Sequence, residues 1–182
     1  MKLTKHQAAM HEAWHTVLWI QIGCRVNIVK VKPHNIFNWG GFCQQDRDPL
    51  NYCRRHPSEY NYNEYCNIGI YAPHVITTLA PHLYTFDAMY KTDKEHWNCS
   101  LTDIDLVKNY LLAHFDNPDK AYDEFVKLSS YCREFVLKNE KLITIVKKIS
   151  AELENEDQLC WNQIKNIAFD IFANYNWPWV IF

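Results

Sequence analysis

The chain has 182 residues, 48% apolar and 15% aromatic, which is enough material for one sizeable core and gives no compositional case for disorder. Its 19 basic and 21 acidic residues leave a formal charge of −2 with no long run of either sign, so neither nucleic acid nor an anionic membrane surface is indicated as a partner. Seven cysteines, at 24, 43, 53, 66, 99, 132 and 160, are an odd number without a CxxC pair, which points to reduced, mostly buried thiols and away from a disulfide framework or a zinc ribbon.

His and Glu interrupt the first fifteen residues where a secretory leader needs a continuous apolar stretch, and no window approaches the ~20 apolar residues of a membrane span. A soluble, cytoplasmic protein is expected. Thr4 suits an N-cap, and apolar residues at 9, 10, 13, 14, 17, 18 and 20 predict a largely buried helix from Lys5 to about Ile22, ended by Gly23. Arg25 to Val31 alternates polar and β-branched residues. With Trp39, Gly40 and Gly41 as punctuation before Phe42, it predicts a strand and a return strand. From Asp46 to Asn63 the chain is polar and contains two prolines, the pattern of a long surface loop.

Two helical stretches, Glu64 to Tyr71 and Val75 to Tyr84, are expected to be broken by Pro73 and Pro81, which cannot donate a backbone hydrogen bond. After a polar connection, Ser100 or Thr102 can cap a helix reaching about Phe115, with Asp103 and Asp105 in its first turn. Asn117-Pro118-Asp119 opens another helix that continues through Phe125, Leu128, Cys132 and Phe135. Further helices are predicted from Glu140 to Leu153 and from Asp157 to about Tyr175, and the aromatic end Tyr175 to Phe182 is read as packing back over them. The predicted fold is mainly α, an α+β arrangement with a small β-hairpin or sheet after the first helix. Residues 1–116 form the core, and the helices of 117–182 pack on it as part of the same domain.

One motif carries chemistry. His11-Glu12-Ala13-Trp14-His15 is HExxH within a predicted helix, where residues four apart are offset by only ~40° around the axis, so both imidazoles can reach one metal. Neutral imidazoles bind zinc at ~2.0–2.1 Å, and the intervening glutamate can take a proton from an activated water and pass it to a leaving amine. A catalytic zinc needs a third protein ligand. The HExxHxxGxxH extension is absent, since Leu18 and Gln21 occupy the glycine and third histidine positions. Glu64 after the NYNYN run is one alternative; Asp105 at the head of a helix is another. His34, His56, His74, His82 and His96 lack any accompanying motif. Asp103 is read as a helix-capping residue, because two residues along a helix turn by about 200° and the aspartates at 103 and 105 should not share a metal.

Ala9 to His15 resembles the HEAGH helix of the FtsH-type metallopeptidases. Val26 to Pro33, with the following Trp39-Gly40-Gly41, is similar to that family's next strand and Gly-containing turn, and Leu101 to Leu106 is similar to its TGAsNDL segment. The resemblance covers roughly Thr4 to Phe115. It implies an HExxH zincin-like peptidase domain in which His11, His15 and Asp105 hold Zn2+ and Glu12 activates water. Trp14 stands where the family has glycine and is expected either to fill cleft space or to join the core. With glycines only at 23, 40, 41 and 69 there is no GxxxxGK[ST] phosphate loop, so the chain resembles the peptidase portion without its ATPase. The implied partners are a peptide or unfolded protein substrate and a separate ATPase or adaptor. A catalytically inactive zinc-binding or regulatory module of the same fold is the alternative.

Overall fold

The computed structural model describes residues 2–21, 25–35, 38–45 and 71–172. The expected loop from Asp46 to Asn63, the Glu64 helix start, Gly23 and the aromatic end from Tyr175 lie outside the described residues. Within them the protein is mainly helical, with seven α-helices and one small three-stranded antiparallel sheet. None of the described helices is long and apolar enough to cross a membrane. The chain divides into two compact units, residues 1–62 with 140–182, and residues 63–139.

In the first unit, helix α1 (Lys5–Gln21) starts at a reciprocal cap. The Gln7 N–H donates to Thr4 Oγ1 at 3.1 Å, and the Thr4 N–H donates to Gln7 Oε1 at 2.9 Å, so two otherwise unpaired donors are satisfied. The helix is buried around most of its circumference, as its apolar positions predict: Ala9, Ala13, Trp14 and Val17 are fully enclosed. Strands β1 (Val26–Asn35) and β2 (Asn38–Gln45) pair antiparallel, with Val29 opposite Cys43 and Val31 opposite Gly41. The expected hairpin is therefore present, but Trp39, Gly40 and Gly41 lie inside the return strand and do not form its turn.

Helix α6 (Glu140–Glu156) packs on α1 and is tied to it by His6 to Glu154 at 2.8 Å and Lys5 to Asp157 at 2.6 Å. Asp157 takes a φ of 58°, the left-handed region that short polar side chains tolerate, and so redirects the chain at the end of α6. It leads into β3 (Gln158–Cys160), which joins the free side of β1 and makes the sheet order β2-β1-β3. Sequence periodicity places a helix over these residues. Three residues are too few for an alternating signal, and the helix α7 begins only at Trp161, running Trp161–Phe172.

The second unit is helical: α2 (Tyr71–Phe86), α3 (Asp93–Asn98), α4 (Thr102–His114) and α5 (Pro118–Tyr131), followed by one π-helical turn, Cys132–Val136. Pro81 does not break α2. Leu79, Ala80, His82 and Leu83 around it are all buried, and that burial outweighs one missing backbone bond. The Thr92 hydroxyl and the Glu95 carboxylate make a capping box that starts α3, in a stretch that reads as a plain connection. Leu101, rather than Ser100 or Thr102, occupies the cap position of α4 and offers no side-chain bond. Pro118 opens α5 as predicted, with Asn117 Oδ1 accepting from Asp119 N–H at 2.7 Å. Its continuation past Tyr131 widens by one residue, so that the Leu137 N–H donates to Cys132 C=O at 2.8 Å.

Candidate functional site

The first unit presents the HExxH helix as a formed element. His11 and Glu12 are buried, at 9% and 5% exposure, and His15 is half-buried. The Nε2 atoms of His11 and His15 stand 3.2 Å apart, with the rings edge to face at 74°. One helical turn between them and α1's fixed backbone produce this convergence.

Glu12 lies against the hairpin. A Cβ placed on Gly41 would come within 2.6 Å of Glu12 Cγ and 2.4 Å of the Lys30 carbonyl oxygen, so only glycine lets β2 pass this close. Two residues on, and on the same face of the strand, Cys43 Sγ contacts Thr16 Oγ1 at 3.6 Å. Thr16 Oγ1 also donates to the Glu12 backbone carbonyl at 2.8 Å. Burial pushes the Cys43 thiol up to about 12, the Thr16 contact opposes this, and the Glu12 charge adds to the rise. Cys43 is thus an uncharged neighbour of the glutamate at neutral pH. Glycine, threonine and cysteine carry no HExxH signal; the one clue to them in the sequence is a pair of glycines beside β-branched alternation, which marks close backbone approach as well as a turn.

In the second unit both aspartates stand in the first turn of α4, but they differ. Asp105 is 58% exposed at its side chain and reaches Lys108 at 3.7 Å, three residues along the same helix. Asp103 is half-buried. His11 and His15 of the first unit are two of the side chains that could hold a metal ion. The alternative ligand Glu64, together with His56 and the side chain of His74, lies outside the described residues. His34 is exposed and lies over Gly40. Trp14 is fully buried.

His82 and His96 serve a different end. Both are completely buried in the second unit, with His82 Nε2 and His96 Nδ1 at 2.9 Å, and His96 Nε2 reaches Asp87 Oδ1 at 2.8 Å. Arg133, carried by the π turn, grips Asp87 through Nε and Nη2 at 2.9 Å each and Asp93 through Nη1 at 2.7 Å. Burial alone would raise Asp87, but the His96 and Arg133 hydrogen bonds and charges hold it at about 2. This chain of polar groups ties α2, α3 and the π turn together. The four described cysteines, Cys43, Cys99, Cys132 and Cys160, are all free thiols; Cys160 is exposed.

No protein-family model, curated protein or solved structure matches this chain. Its functional reading therefore rests on the residues themselves.

Proposed function

We propose that this chain is a zinc-dependent peptidase, similar to the FtsH-type peptidase domain without its ATPase, in which His11 and His15 hold the metal and Glu12 carries the proton. The observation that supports it is the pair of Nε2 atoms 3.2 Å apart on a buried helix. Two nitrogens each ~2.0–2.1 Å from a tetrahedral zinc stand about 3.3 Å apart, so the ring positions suit that ion with little adjustment. A pair of histidines also leaves positions open for a third ligand and a water, as a catalytic zinc requires.

Bound zinc would supply an acidified water and polarise the carbonyl of the scissile bond. Glu12 accepts the proton as the water oxygen bonds to the carbonyl carbon, then gives it to the amide nitrogen as the C–N bond breaks. Gly41 lets the hairpin pass against the Glu12 side chain, and Thr16 donates to the Glu12 backbone carbonyl. The substrate class is an accessible peptide or unfolded protein.

The contrasting reading is a metal-holding module without turnover. Zinc-loaded wild-type protein and Glu12→Gln separate the two when assayed on casein. Glu12→Gln is expected to keep about one equivalent of zinc and to lose on the order of 10²–10⁴ in rate. Full turnover by the variant, or zinc-loaded wild type that leaves casein intact, rules out the peptidase assignment.

A further inference from the structure

The buried pair His82 and His96 has room for a fixed number of protons. Both imidazoles are fully enclosed; His82 Nε2 stands 2.9 Å from His96 Nδ1, and His96 Nε2 stands 2.8 Å from Asp87 Oδ1. The Asp87 carboxyl, held at about 2, is ionised at neutral pH and in mild acid, so it only accepts. His96 Nε2 therefore bears a hydrogen. In the neutral ring His96 Nδ1 then holds a lone pair, and His82 Nε2–H donates to it. One added proton can sit on His96 Nδ1, which turns the same bond round and makes His82 the acceptor. A second has no place, because two N–H groups would face each other across 2.9 Å.

The surrounding charges set the same limit. Asp87 and Asp93 carry two negative charges against the one positive charge of Arg133, which binds both, so one added proton balances the cluster and a second leaves it positive. Tyr90 lies against both rings and bonds the Cys99 thiol. Lys91 and Glu95, both exposed, bear opposite charges. From α4, Lys108 and Asp105 act on Cys99, and α5 meets α3 through the rings of Tyr122 and Phe125 against Trp97.

From this geometry we propose that His82 and His96 form an acid-sensitive latch between α2 and α3, closed with no added proton or with one, and opened by the second. His82 belongs to α2 and His96 to α3, and the bond between them continues through Asp87 to Arg133 on the π turn. Its loss releases α3 from α2. The latch lies wholly within residues 63–139 and stands whether or not His11 and His15 hold zinc.

The full chain with isotope-labelled histidine is titrated by NMR from about pH 8 to about pH 4, a range that spans ordinary imidazole charging. The two rings are recognised by their contacts with Phe86 and Tyr90. One added proton is expected on the pair while the bond holds, and loss of the bond with the second. The folded pair then binds one proton fewer than the same residues unfolded, so acid favours unfolding. In urea, followed on the Trp97 indole, the unfolding constant of wild type is expected to rise more steeply than that of His82→Gln, by up to about tenfold per pH unit. The glutamine amide can donate to the neutral His96 ring or accept from the charged one, which keeps the bond and removes the conflict. The other histidines are common to both proteins. Equal slopes overturn the latch. So does a folded wild type with both rings doubly protonated and still in contact, or one in which neither ring gains a proton by about pH 4. Should His82→Gln fail to fold, the wild-type titration alone decides.

Discussion

Gly41→Ala tests the contact between the hairpin and Glu12 most directly. The new methyl carbon would sit 2.4 Å from the Lys30 carbonyl oxygen, 2.6 Å from Glu12 Cγ and 3.0 Å from Glu12 Cδ. All three lie well inside van der Waals contact, and the first is sheet backbone that cannot swing aside. Overpacking of this sort costs ~1–3 kcal/mol, which for a chain of this size lowers the thermal midpoint by roughly 2–12 °C. The Glu12 part of the clash can be isolated by adding Glu12→Ala. If the side chains press on each other, the double variant recovers part of the loss, a coupling of ~0.5–3 kcal/mol. Turnover should fall further than stability, since a displacement of about 1 Å at a catalytic group can cost on the order of 10²-fold. Circular dichroism melts of the four proteins and casein cleavage by wild type and Gly41→Ala provide the measurements. A Gly41→Ala midpoint equal to wild type would refute the close approach of β2, and strict additivity with Glu12→Ala would assign the clash to Lys30 alone.

His15→Ala is expected to weaken zinc binding by at least the ~10–100-fold seen for lost supporting groups; competition with a chromogenic chelator measures it, and an unchanged affinity would remove the histidine pair from the site. Asp105→Asn should leave the thermal midpoint nearly unmoved, since its ion pair with Lys108 is exposed and screened. The Asp87 network predicts an acid limb. Its folded value is held at about 2, below the ordinary 3.8, so its contribution is present above about pH 4 and is lost as pH falls toward about 2. Asp87→Asn should flatten the pH dependence of the midpoint across that window; a variant curve running parallel to wild type would show that other groups govern it.

Much of the helical frame was legible because its signals are local. The Thr4 cap, the Asn117-Pro118 start and the buried positions of α1 depend on neighbours within one turn, and each is realised. The misreadings share a non-local cause. Pro81 reads as a breaker, yet it stays inside α2 because burial of Leu79 and Leu83 outweighs a missing backbone bond. Gly40 and Gly41 read as a turn, yet Gly41 serves the approach of a strand to a side chain 29 residues earlier in the chain, where no window of sequence could show it. Gln158 to Cys160 becomes a strand only because β1 has an open side to receive it.

The HExxH helix and the two aspartates of α4 differ in how much their own sequence decides. HExxH fixes its own geometry, because two residues four apart must share a face, and the 3.2 Å pair follows from that spacing. A carboxylate some ninety residues away has no such constraint. The segment containing Asp103 and Asp105 marks a helix head in either case, and both suit its first turn electrostatically. What separates them is which side of α4 is buried. Ile104, Val107 and Leu111 set that side; Asp103 lies about 40° from Val107, while Asp105 lies about 160° from it and pairs with Lys108 in solvent. The resemblance singles out Asp105, whereas the amphipathic phase of α4 sets Asp103 beside the buried side, because which aspartate leaves solvent is decided by the packing of the whole helix and not by a motif.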